Sequence, residues 1–346
     1  MNYIRNRDLG FNKSNLLYMP MAGELGDRQR ALKAELESNP LTANFTTITD
    51  PISNLSSNTS SVEWEGKTEA DKKLWFSKAW VTDRFFDVLQ MKMASGRALS
   101  TTGFADSGNY VINEKAAKVM GMTPVSAVGK PLTFNGEKGI IVGVVKDFNY
   151  QPAQQAIEPM VLAFNHWNGG IVLLRTQRGK TEATIHALEK INKELNPAYP
   201  FSYGFVDQDI NSLYSGERQM GSLFNVFAII AIFISCMGLY GLSAFMAEQR
   251  TREIGVRKVL GASVFNLVYL LSTGFTKLIL IAVVIAIPIA WFVMNKWLSS
   301  FAYRVDIGWV VFLLASLGAL AIAWITVSYE SFKAAILNPV KSLKSE

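Results

Sequence analysis

The chain has 346 residues, of which 49% are hydrophobic and 18% charged, with a formal net charge of +6. That length accommodates two domains. The positive charge would fit a nucleic-acid partner if it were spread over one face, but its densest segment, residues 248–263, abuts the longest uncharged run and has no aromatic residues to stack bases, which excludes that class.

The first residues, "MNYIRNRDLGFNKSN", are polar and contain neither a signal peptide nor a span. "NLLYMPM" then reads as a strand, "GDRQRALKAELESN" as an amphipathic helix and "ANFTTIT" as a strand. Leu32 and Leu36, with Ala31 and Ala34, supply the helical spacing. The same succession returns in "GIVLLRTQ", "KTEATIHALEKINKEL" and "PFSYGFV", where Ile185, Leu188, Ile191 and Leu195 form the stripe. Between the two units lie further strands, in "GNYVINEKAAKVMG", "GKPLTFNGEKGIIVGVVKDFNY" and "EPMVLAF", with Gly129, Gly136 and Gly139 marking turns. The expectation is a two-lobed α+β domain over residues 1–216, a split β-α-β lobe carrying an inserted strand-rich lobe. The sequons at Asn44, Asn54 and Asn58 read as chance products of Asn/Ser/Thr-rich loops.

After "YGFVDQD", Ile210, Leu213 and Tyr214 share a helical face. If Asp207 caps that helix, it can run as one rod from about residue 208 to 247, or Gly216 or Gly221 can break it. The region 217–346 is dominated by three apolar runs, read as spans at about 221–247, 270–294 and 307–329, each near the roughly 20 residues a bilayer requires. Lys277 is the one charge close to a span core, and its place near a span end favours snorkelling over an ion pathway.

Loop charges set the orientation. Arg250, Arg252, Arg257 and Lys258 follow the first span and Lys333, Lys341 and Lys344 follow the last, against Lys296 and Arg304 between the second and third. The first loop and the C-terminus are therefore expected in the cytoplasm, with residues 1–216 on the other side. A folded domain crosses a membrane only behind a leading hydrophobic segment, so the expectation is a truncated chain or a split polypeptide whose first helix is missing.

Catalytic chemistry is not visible. Cys236 is the single cysteine and lies inside an apolar run, and the two histidines, His166 and His186, lack metal-ligand spacing. No phosphate-cradling GxxxxGK[ST] or nucleophile-elbow GxSxG occurs, so the expectation is a non-enzyme without cofactor, any ATP being bound by a partner. Asp207 and Asp209 read as helix caps rather than an acid–base pair.

The segment "EQRTREIGVRKVLGAS" (residues 248–263) reads as a short helix with Glu248–Arg252 and Glu253–Arg257 spaced i,i+4 in the favourable order, ended by Gly261. Such a helix fits a membrane-surface anchor or a docking peg for a cytoplasmic partner. The same segment resembles the signature that follows the second transmembrane helix in FtsX-like, MacB-like ABC transporter permeases. The ending "KAAILNPVKSLKSE" is similar to that family's C-terminus, and "VVKDFNYQP…IEP" is similar to part of its extracytoplasmic core domain.

The resemblance implies four helices per unit, a large periplasmic domain between the first two and a location in the bacterial inner membrane. It implies the C-terminal half of a duplicated permease, partnered by a cytoplasmic ABC ATPase, a second permease half or copy and a membrane-fusion or periplasmic protein. Glu248, Arg250, Arg252, Glu253, Arg257 and Lys258 would meet the ATPase, and hydrolysis there would move the periplasmic lobes (mechanotransmission) for export or release of a substrate. Small residues Gly238, Gly241, Ala282, Ala286, Ala315 and Ala319 would allow close helix packing. A non-transporting regulator of extracellular cell-wall hydrolases is the rival within the same family.

Overall fold

The computed structural model describes residues 9–55, 57–99, 106–152, 155–164, 170–250, 253–254, 256–257, 260–299 and 308–336. Readings that fall on His166, Arg252, Lys258, Arg304, Lys341 and Lys344, and on the Asn-Pro-Val ending, lie outside the described residues. The chain divides into two compact units, Met1–Gly216 and Glu217–Glu346.

The first unit begins with β1 (Leu16–Pro20), α1 (Gln29–Ser38), β2 (Phe45–Ile48), β3 (Asn58–Thr59), β4 (Val62–Trp64) and β5 (Phe76–Val81). There follow α2 (Phe85–Leu89), β6 (Met93–Gly96), β7 (Tyr110–Asn113), α3 (Glu114–Val119), α4 (Pro124–Ala127), β8 (Pro131–Phe134) and β9 (Glu137–Val145). It closes with β10 (Met160–Phe164), β11 (Ile171–Arg175), α5 (Thr181–Leu195), β12 (Gly204–Phe205) and α6 (Val206–Leu213).

Along one path the strands run β12-β1-β11-β2-β5-β10-β7-β9-β8-β4, with β3 added on β5 and β6 on β9. The first four are antiparallel neighbours and come from the two strand–helix–strand repeats. Their interleaving, with β11 between β1 and β2, is the split β-α-β arrangement of ferredoxin-like sheets. The inserted strands form the second lobe, where β5 and β10, and β7 and β9, run parallel. The two lobes are not separate sheets: β2 continues into β5 through the pair Ile48–Val81.

Three cores line this sheet. Leu16 points into the largest, together with Phe85, Phe148 and Ile210, while Leu17 and Met19 point to the opposite face with Leu32, Leu36, Leu188 and Ile191. Because β1 is buried on both faces, its sequence is nearly continuous apolar rather than alternating. Helices α1 and α5 close the second face. On α1 only Leu32 and Leu36 are buried, and Ala31 and Ala34 are exposed, so its apolar stripe is narrower than the sequence spacing implied. Each fully buried leucine contributes about 1.5–3 kcal/mol. The third core fills the inserted lobe with Val62, Phe76, Ile112, Leu132 and Phe134.

The helix after β12 departs from expectation. Asp207 does not cap it: the N-cap is Phe205 without a side-chain bond, and the Asp207 carboxylate accepts from the Gln208 N–H at 2.9 Å. One unbroken rod is not formed either. α6 stops at Leu213, and Tyr214 (φ −104°, ψ 15°) interrupts the helix before α7 (Ser215–Gln249) begins. The break falls at Tyr214 rather than at a glycine, and Val206, Ile210 and Tyr214, spaced i, i+4, i+8, pack on the largest core.

The second unit holds α7, α8 (Val264–Leu298) and α9 (Trp309–Ile336). All three are long and apolar enough to cross a membrane. At 35 residues each, α7 and α8 extend about 52 Å at 1.5 Å per residue, well beyond the hydrocarbon core. Between α8 and α9 the Trp324 indole N–H donates to Thr276 Oγ1 at 2.9 Å.

Candidate functional site

The segment joining α7 to α8 is helical where it is described. Arg250 N–H donates to the Met246 carbonyl at 3.2 Å and Ile254 N–H to the Arg250 carbonyl at 2.9 Å, so the turn continues past the end of α7. Arg257 and Glu253 form the expected i,i+4 ion pair at 2.7 Å, both side chains about half exposed. Solvent screening holds such a pair to about 0.3–0.5 kcal/mol. The segment ends at Gly261, whose φ of +90° is the left-handed conformation that glycine adopts without strain. Ala262 N–H reaches back to the Arg257 carbonyl at 2.9 Å, closing a Schellman turn. Ser263 then caps α8 by accepting from the Asn266 N–H at 3.2 Å.

The sequence-derived coupling residues fall unevenly on this geometry. Glu248, Arg250, Glu253 and Arg257 are exposed or half exposed, while Arg252 and Lys258 lie outside the described residues. Arg250 and Arg257 do not act as equivalent charges, because Glu253 already accompanies Arg257. Ile254 is buried, whereas Val256 and Leu260 expose apolar side chains, Leu260 at 80% of its surface. The segment thus offers an apolar pair beside charged groups, which suits seating in a protein groove.

Among the proposed helix-packing positions, Gly238, Gly241, Ala282, Ala286, Ala315 and Ala319 are all exposed in this chain. Among the described residues of the three long helices, the buried small ones are instead Ser243, Ala247, Ser272 and Ala323. A cavity of about 500 Å³ between α8 and α9 is lined by Val283, Ile287, Trp291, Trp309, Phe312, Leu313 and Ser316.

Two polar clusters in the first unit escaped sequence reasoning. Around "DFNYQP", Tyr150 OH donates to Ser77 Oγ at 2.7 Å and Ser77 Oγ donates to Glu158 at 2.6 Å. Asn113 locks the same corner by donating to the Glu158 carbonyl and accepting from Met160 N–H. Burial, joined by the nearby Glu158 charge and opposed by the Ser77 hydrogen bond, pushes the Tyr150 phenol up to about 12. The second cluster holds α6. Ser53 Oγ donates to Asp209 at 3.4 Å, and burial together with a hydrogen bond to Asp209 and its charge raises the Tyr18 phenol to about 12. Asp209 is therefore a tether between α6 and the sheet rather than a cap.

Residues 6–190 match the family described as MacB-like periplasmic core domain, and residues 225–339 match the C-terminal part of FtsX-like permeases. The chain is 22% identical over 196 residues to the macrolide export ATP-binding/permease protein MacB of Aggregatibacter actinomycetemcomitans, covering 54% of this chain and 30% of that protein. It is 24% identical over 287 residues to the ABC transporter permease YvrN of Bacillus subtilis, covering 77% of this chain and 69% of that one. The match thus spans less than a third of the MacB relative. Among solved structures, the periplasmic region of MacB from Actinobacillus actinomycetemcomitans superposes with a TM-score of 0.42 at 17% identity, covering 61% of this chain and 98% of that one. The extracellular domain of the transporter YknZ gives 0.38 at 14% identity, over 54% and 97%. Since the core-domain family accounts for more than half of the chain and the permease family for most of the remainder, the chain belongs to the FtsX-like permeases of ABC transporters that carry a MacB-like periplasmic core domain.

Proposed function

We propose that this permease works by mechanotransmission: a separate cytoplasmic ATPase hydrolyses ATP, grips residues 248–262, and the motion reaches the core domain on the far side of the inner membrane. The observation that carries this reading is the connection between α7 and α8, a helical turn with an exposed Val256–Leu260 pair, flanking charges and a rigid Schellman stop. Among the described residues, the exposed Val256 and Leu260 beside Arg250, Glu253 and Arg257 suit a groove in a protein partner. Residues 1–216 form the extracytoplasmic moving part and residues 217–346 the membrane part in this scheme. The exposed faces at Gly238, Gly241, Ala282, Ala286, Ala315 and Ala319 meet a second permease half or copy. Export or release of a substrate, with a membrane-fusion or other periplasmic partner, completes the cycle.

The test is charge reversal at Arg250 and Arg257. Because the Glu253–Arg257 pair is half exposed, the fold loses well under about 1 kcal/mol. At a partly buried interface the same change costs about 2–5 kcal/mol. Arg250→Glu/Arg257→Glu, at equal membrane levels, is expected to lose most co-purifying ATPase. Undiminished recovery and stimulation of the ATPase would refute this assignment of the coupling contact.

A further inference from the structure

We infer that a basic cleft at one end of the first unit's sheet is a binding site for a phosphate-bearing anion, independent of the coupling segment. The cleft has a volume of about 590 Å³, and Lys13, Lys92 and Lys146 line it together with Asn12 and Gln90. The three lysines come from separate stretches of chain. Lys13 precedes β1, Lys92 precedes β6 and Lys146 follows β9, and the sheet brings the last two together through the bond from Lys146 N–H to the Lys92 carbonyl at 2.9 Å. Among the described residues none of the three lysines makes an ion pair.

The wall carrying Lys13 is built, not loose. Asn12 N–H donates to the Leu89 carbonyl at 2.9 Å, and its side-chain amide donates to Gln90 Oε1 at 2.8 Å. The Arg175 guanidinium donates to the Asn12 carbonyl at 2.6 Å and also to the carbonyls of Ser14 and Val88. Arg175 therefore adds a fourth positive charge beside the cleft, satisfied by backbone rather than by a carboxylate. Gly10, at φ +80°, lets the chain press against the opposite wall, since a Cβ there would lie 2.6 Å from the Asp147 carbonyl.

Among the described residues Asp147 is the one acid lining the cleft, and it competes poorly for the lysines. Its carboxylate accepts from Lys115 N–H at 2.8 Å, and desolvation raises its pKa. What remains is a pocket of ammonium donors with amide groups at its rim. Three lysines lining one cleft supply positive charge that fits a tetrahedral, multi-oxygen anion better than a single carboxylate. Both a lipid headgroup and a soluble phosphate ester present that chemistry.

Amine-reactive footprinting of the full chain in lipid nanodiscs tests the site without altering the sequence. Lys13, Lys92 and Lys146 are expected to be protected relative to the exposed lysines Lys72, Lys73 and Lys190. Protection in phosphatidylglycerol discs but not in phosphatidylcholine discs identifies the lipid headgroup as ligand. Protection in phosphatidylcholine discs on adding pyrophosphate identifies a soluble phosphate. Protection by neither, or equal protection of the control lysines, overturns the site. For whichever probe protects, Lys13→Gln/Lys92→Gln/Lys146→Gln is expected to weaken binding at least tenfold, with the thermal midpoint unchanged. Retention of wild-type affinity by that variant also overturns it.

Discussion

Removing the Ile210 side chain is expected to free α6 while the rest of the first unit stays folded. The helix has eight residues, too few to persist alone, so its structure depends on docking. Two side chains supply most of that docking, Val206 at 2% and Ile210 at 4% exposure, with Asp209 tethered to Tyr18 and Ser53 beside them. Truncating a buried isoleucine to alanine costs about 2–5 kcal/mol. At the lower bound, 2 kcal/mol multiplies the open population of the helix about 30-fold, given 1.4 kcal/mol per tenfold. Hydrogen exchange of the full chain in nanodiscs, followed by mass spectrometry, reads this directly. Ile210→Ala should raise exchange in 206–214 by about that factor and leave β7 and β9 protected. Ile210 makes no contact with an ATPase in the proposed mechanism, so ATPase recovery should persist while transport coupling falls. Unchanged exchange at 206–214, or an equal rise across every strand, would refute the view that α6 is a separately anchored joint.

Other expectations follow from the same geometry. Tyr18 and Tyr150 have folded pKa values raised to about 12 from an ordinary 10, so the folded state holds their protons more tightly. Their contribution is complete below pH 10 and is lost as pH rises from 10 toward 12; Tyr18→Phe/Tyr150→Phe should flatten that alkaline loss in a thermal-midpoint series. Arg97 makes a bidentate pair with Asp106 at 2.6 and 2.7 Å, the acid fully buried and the guanidinium half exposed. Arg97→Ala removes the counter-charge of a buried carboxylate to which Asn109 still donates, and should cost about 3–5 kcal/mol in denaturant unfolding, more than Asp106→Asn, which leaves an arginine able to reach water. In a Cys236→Ser background, impermeant maleimide should label Leu260→Cys from the cytoplasmic side and Ser299→Cys from the other; the reverse pattern would invert the topology, and labelling of both from one side would deny that α8 spans.

The elements were legible because periodicity is local, and their assembly was less so because pairing is not. Both strand–helix–strand repeats could be read from alternation and from Leu32, Leu36, Leu188 and Ile191 alone. Nothing local, however, says that β11 inserts between β1 and β2, or that Ile48–Val81 fuses two lobes into one sheet. The break at Tyr214 was missed because glycine is the stronger local breaker. What holds the helix before it is tertiary, the burial of Val206 and Ile210 in the core. Ser77, Tyr150 and Glu158 lie up to 81 positions apart, so no spacing rule could join them. In the coupling segment the Glu253–Arg257 pair and the stop at Gly261 were readable, since both depend on neighbours within one or two turns. The lysine cleft was invisible for the opposite reason: each lysine is unremarkable until the sheet gathers them.

The pairing of Ile48 with Ile171 means that the excursion from 49 to 170 departs from and returns to adjacent points on two neighbouring strands. To the four-strand framework, that whole lobe is a hairpin loop of unusual length. Loop-closure entropy grows only with the logarithm of length, about 0.6 kcal/mol per doubling, so the length of the excursion itself adds little to the cost of bringing Ile48 beside Ile171. What ties the excursion to the framework is the shared core, where its Phe85 and Phe148 pack with Leu16 and Ile210, so insertions are expected to be tolerated only away from that seam.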